Sequence, residues 1–169
     1  MSDPNETTDQ IYAFCEASQG KTLGPLNVQD TVNHVLETLD EQLTCHRVNS
    51  IVDIPPQLNL ATDRSLFNAA INCLCAQAIK SMPRGGEVVI TAVAQDQAIE
   101  LEVADSRKEY VQSPRLHSNP QFHDETDALH PVYQFVAIHG GLVRTQNCPE
   151  GGVAFTIHLP LVKALRSAA

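Results

Sequence analysis

A thiol, an amide and an ammonium group fall on one line in the middle of this chain. Cys73, Gln77 and Lys80 recur at steps of four and three residues, which stacks them along one side of a helix. That helix is well signalled: Asp63 suits its N-cap and Pro83 its stop. Phe67, Ala70, Ile71, Leu74 and Ala78 form the stripe that faces a core. The polar line lies beside this stripe. A core-packing surface does not normally end in an amide and a charge, so the line is expected to face a pocket. Asp105, at the end of the aliphatic run Val103-Ala-Asp, is a second chemical candidate. On its own it reads as a turn or capping residue.

Other chemistries find little support. Cys73 and Cys75 are two apart on a helix, so they diverge and do not clamp one metal. The seven histidines are scattered, with no zinc spacing on a shared face. No Ser or Cys stands in a recognisable nucleophile context. The sequence has 169 residues, enough for one domain with a real core. Apolar residues make up 43%, aromatics only 5%, and there is no Trp, which suits an aliphatic core. The net charge of -9, without a basic block, argues against a nucleic-acid partner. No apolar run is long enough for membrane insertion, and the polar, acidic N-terminus is no secretory signal. Five cysteines form no disulfide framework, so a cytoplasmic, reducing setting is expected.

The elements that must position these residues follow from local pattern. Residues Met1 to Thr8 read as a frayed tail, and Gln10 to Ser18 as a short helix ended by Gly20. Lys21 to Leu26 reads as an edge strand. Asn27 caps one helix with a stripe of Val28, Val32, Val35, Leu36, Leu39 and Leu43. His46 to Ile54 is a strand turned by Pro55-Pro56, and Leu58 to Ala61 leads into the central helix. Glu87 to Ala94 and Ala98 to Ala104 form a hairpin. Asp105 to Asp127 is polar and aperiodic, a loop of the length usually kept for function or motion. Pro131 opens a helix carrying Val132, Phe135, Val136 and His139, stopped by Gly140-Gly141. Leu142 to Thr145 and Val153 to Leu159 form a last hairpin, and Leu161 to Ala168 a short terminal helix. Hairpin strands beside three main helices predict an α+β, two-layer sandwich with a mixed sheet.

The central helix resembles the N-box helix of the ATP-binding domain of sensor histidine kinases, in the GHKL ATPase superfamily. That motif reads Asn-x-x-x-Asn-Ala-x-Lys, then Pro and often Gly-Gly. Its two asparagines fall on Cys73 and Gln77, followed by Ala78, Lys80 and Pro83. The closing segment is also similar: Ala137-Ile-His-Gly-Gly-Leu-Val, then Pro149-Glu-Gly-Gly-Val-Ala-Phe-Thr-Ile-His-Leu-Pro-Leu. The resemblance runs from about Leu26 to Leu161 and implies the Bergerat fold. It divides the chain into a tail over 1–26, a remnant of the kinase dimerisation-hairpin junction, an ATPase-like domain over 27–162 and a tail over 163–169. A lid-like loop spans 105–127.

The resemblance implies ATP and Mg²⁺ as cofactors. Asp105 falls on the acid that accepts from the adenine amine, Lys80 on the phosphate-contacting Lys, and Gln77 on the Mg²⁺ ligand. Cys73 takes the other Asn position, where a soft thiol is a poor Mg²⁺ ligand. The two glycines after the acid are Arg107 and Glu109. The Gly-x-Gly-Leu motif falls on Thr126, Asp127, Ala128 and Leu129. These losses imply a degenerate domain with weak or no ATP binding. It would act by binding a histidine kinase or response regulator in two-component signalling. The alternative is an active domain phosphorylating a separate His-containing hairpin in trans. A stand-alone regulator like the anti-sigma kinases is a remoter reading, since those keep an intact ATP site. His34 lacks a phosphoacceptor's surrounding motif, and no catalytic residue is assigned.

Overall fold

Two side-chain caps and one proline fix where the main helices begin. The computed structural model of the chain describes residues 23–95, 97–108, 115–117 and 128–160, the stretch 115–117 by its backbone. The expectations for Gln10 to Ser18, Leu161 to Ala168, Glu109, Thr126 and Asp127 lie outside these residues. Strand β1 (Gly24–Asn27) runs into helix α1 (Val28–Thr38). The Asn27 side chain accepts from the Asp30 backbone N–H at 3.0 Å, satisfying one of the orphan donors of the first turn. Asp63 does the same for the long helix α3 (Arg64–Lys80), accepting from Leu66 N–H at 2.9 Å. Pro131 sits in the first turn of α4 (His130–Ile138), where its missing N–H costs nothing.

The helix expected from Val28 through Leu43 is two helices. It breaks at Leu39, whose φ of -98° and ψ of 3° leave the helical region, and restarts as α2 (Asp40–His46). Leu39 stays buried through the break, which is why the apolar stripe runs on without interruption. There are thus four described helices rather than three. Arg47, at φ 56°, turns the chain into strand β2 (Val48–Asp53). Strand β3 (Asn59–Thr62) then pairs antiparallel with β1 as a separate two-stranded sheet.

The main sheet has six strands in the order β2-β4-β5-β8-β7-β6. Strand β4 (Gly86–Gln95) runs parallel to β2 and antiparallel to β5 (Ala98–Asp105). Strands β7 (Leu142–Asn147) and β8 (Val153–Pro160) complete the second hairpin, with β8 against β5. Strand β6 (Arg115–His117) pairs with β7 inside the stretch expected to be loop. With one parallel pair the sheet is mixed, as expected. Along β5, Ile99, Leu101, Val103 and Asp105 are buried while Glu100, Glu102 and Ala104 are half-buried. This period of two points one face at the helices and leaves the other open. In the core, Phe67 of α3 meets Phe135 of α4 edge to face, with centroids 5.5 Å apart.

Candidate functional site

Asp105 is the last inward-pointing residue of β5. The register sets it opposite Val88 on β4 and Val153 on β8. Its side chain is 1% exposed. A buried carboxylate needs a counter-charge and hydrogen bonds, and Arg107 supplies both. The Arg107 Nε donates to Oδ1 at 2.8 Å and to Oδ2 at 2.9 Å, and Nη2 donates to Oδ2. The Arg107 backbone N–H adds a bond to Oδ1 at 3.1 Å. From β8, the Val153 N–H reaches the same oxygen at 3.4 Å. Arg107 stands where the resembled motif keeps glycine, and in the structure it covers the acid. Sequence reasoning missed this bond, although a usable signal was there. Residues i and i+2 of an extended segment point to the same side, so an Asp-x-Arg at a strand end can pair with itself.

Gly152 closes the site from the β7–β8 turn. Its φ is 102°, and a Cβ there would stand 1.8 Å from the Asp105 carbonyl oxygen. Only glycine permits that approach. The turn is held by Cys148 N–H to the Gly152 carbonyl at 2.9 Å. Burial pushes the Cys148 thiol pKa up, with the carboxylates of Glu102, Asp105 and Glu150 adding to it. On the α3 side, the Ser106 Oγ accepts from Glu87 N–H at 2.9 Å and lies 3.5 Å from the Met82 sulfur. The loop after α3 therefore rests on the residue that follows the acid.

The polar line runs along one side of α3. Cys73 and Gln77 are half-buried and Lys80 is exposed in the last turn. The Cys73 S–H donates to the Ala128 carbonyl at 2.8 Å, tying α3 to the start of α4. The thiol thus makes a protein contact at one of the two asparagine positions. Ala128 is exposed, and the half-buried Leu129 packs against the core. The Leu129 carbonyl accepts from Val132 and Tyr133 N–H at 2.9 and 3.1 Å. His130 Nδ1 is buried there without a hydrogen-bond partner among the described residues. Gln77 and Lys80 hold the positions for which the resemblance implies contact with Mg²⁺ and phosphate. One amide oxygen is a sparse set for an ion that takes six oxygens, even counting its waters.

Cys75, on the far side of α3 from Cys73, is fully buried, and desolvation pushes its pKa up to about 12. It packs as an inert apolar group. His139, at the end of α4, has its pKa lowered by burial. Its Nε2 is hydrogen-bonded to Thr62 Oγ1 at 2.8 Å, and its ring stacks edgewise on Phe135 at 5.1 Å. A shallow depression of about 260 Å³ lies on the open sheet face, lined by Glu100, Leu142, Arg144, Thr156 and His158. It is concave but separate from Asp105 and the α3 line. The candidate residues lie at the end of β5, along α3 and at the start of α4.

No protein-family model matches the chain, and no curated protein matches it. Solved structures do. The nucleotide-free catalytic domain of histidine kinase ThkA superposes with a TM-score of 0.70 at 18% identity, covering 82% of this chain and 96% of that one. The mycobacterial sensor histidine kinase MprB gives a TM-score of 0.65 at 22% identity, covering 82% and 97%. Full-length ShkA in complex with AMPPNP gives 0.70 at 18%, covering 84% of this chain and 32% of that one. Element order, sheet topology and these superpositions agree: the chain has the fold of a histidine kinase ATPase domain, of the GHKL type.

Proposed function

We propose that this chain is a degenerate histidine kinase ATPase-like module with weak or no ATP binding. It works in two-component signalling by contact with a histidine kinase or a response regulator. The single observation that carries this reading is the engagement of Asp105. Both carboxylate oxygens are held by Arg107, and the side chain is 1% exposed. An adenine amine would need one of those oxygens. The thiol of Cys73, bonded to the Ala128 carbonyl, supports the same reading on α3.

Calorimetric titration of the wild-type chain with ATP and ADP, with and without Mg²⁺, tests it. The expected result is no saturable heat from folded protein. Mg²⁺-dependent binding that Asp105→Asn abolishes would overturn the reading. It would favour the alternative, a kinase domain acting in trans, with Lys80 and Gln77 at the phosphates and metal. A phosphorylation assay on a separate His-containing hairpin would then follow.

A further inference from the structure

We propose that Arg107 is an internal competitor, holding the Asp105 carboxylate in place of the amine donor of a nucleobase. This rests on the reading above that a nucleobase would have to seat on Asp105. Arg107 spans the carboxylate side-on with Nε and Nη2, the fork-to-carboxylate match that makes such pairs strong and directional. The backbone N–H groups of Arg107 and Val153 take the remaining capacity of Oδ1. No acceptor position stays open for a ligand.

Two features make Arg107 the movable partner. Asp105 ends a strand paired on both sides, whereas Arg107 lies beyond it in the connecting segment. The arginine side chain is 16% exposed and the carboxylate 1%, so the guanidinium has a route to solvent that the acid lacks. The tether is only two residues long. It gives the guanidinium an effective concentration of about millimolar or higher, against which any free ligand must compete. Burial also keeps the pair from being screened by salt as an exposed one would be.

The test is a titration of the full chain with a fluorescent adenine nucleotide, mant-ADP, comparing wild type, Arg107→Ala and the double variant Arg107→Ala/Asp105→Asn. Arg107→Ala is expected to bind at least about tenfold more tightly than wild type. The double variant should return to the wild-type level. Methylguanidinium chloride, which restores the two-donor edge, should compete with the nucleotide in Arg107→Ala, and NaCl at equal ionic strength should not. A folded Arg107→Ala that, like the wild type, shows no saturable binding overturns the proposal and leaves the degenerate-module reading standing. Saturable wild-type binding as tight as that of the variant overturns both. An absence of methylguanidinium competition also overturns the proposal, since that cation replaces the Arg107 fork. Should Arg107→Ala not fold, Arg107→Gln removes the bidentate charge with less loss of volume and is judged by the same outcomes.

Discussion

Gly152 offers the sharpest test of how the site is built, because its neighbour is an internal control. Gly151 and Gly152 both have positive φ, 98° and 102°. A Cβ at Gly151 would meet nothing within 4 Å, while one at Gly152 would stand 1.8 Å from the Asp105 carbonyl oxygen. Alanine at either position carries a backbone cost of about 1–3 kcal/mol. At Gly152 there is a steric cost as well. The clashing atom is main chain and cannot rotate aside, so the upper part of the usual overpacking range, about 3 kcal/mol, applies. Gly152→Ala is therefore expected to lose about 4–6 kcal/mol and Gly151→Ala about 1–3. In a chain of this length that means a Tm lower by about 8–24 °C for Gly152→Ala and about 2–12 °C for Gly151→Ala. Urea unfolding of both variants, followed by circular dichroism, measures the difference. Equal losses within about 0.5 kcal/mol would refute the close approach of the turn to Asp105.

Further outcomes follow from the caps and the titrating groups. His139 is held neutral by burial, with its folded pKa lowered from 6.5. Below pH 6.5 the unfolded chain thus binds more protons, and stability falls with pH until the folded pKa is passed. Urea unfolding at pH 8 and pH 5 should show a loss on acidification that is smaller in His139→Gln; an equal loss would exclude His139 as its source. Removing the Asp63 cap as Asp63→Ala should cost about 1 kcal/mol in the same assay, and an unchanged midpoint would mean the cap is idle. In native alkylation with iodoacetamide, the exposed Cys45 should react before Cys75, which is buried with its pKa near 12. Modification of Cys75 at a similar rate would argue against its burial in α3.

Local chemistry made much of this fold legible. Asn27, Asp63 and Pro131 act where their side chains predict, since a cap depends on residues within one turn. The break at Leu39 was hidden because a buried leucine serves either a continuous helix or a joint between two. Strand β6 was hidden because its three residues take their pairing from β7, nearly thirty positions later. The Cys73-Gln77-Lys80 line was found from spacing, yet the Cys73 bond to Ala128 spans 55 positions and has no local signature. The role of Arg107 was within reach of sequence reasoning and was overlooked, because the position was read for the glycine it replaces.

The placement of β8 between β5 and β7 has a consequence for how the chain is made. Residue pairs from Asp105↔Val153 to Ala98↔Pro160 join a strand in the middle of the sequence to one whose first residue lies about fifty positions later. Such non-local pairing is slow to form. During synthesis β5 can pair with β4 early, but one edge stays bare until Val153–Pro160 has emerged. The turn that shields Asp105 arrives with that same segment. A chain stopped at residue 150 would carry β5 as an open, aliphatic edge, the kind of surface that seeks another strand. The last described strand thus ends the period in which a nascent chain is most prone to associate with its copies.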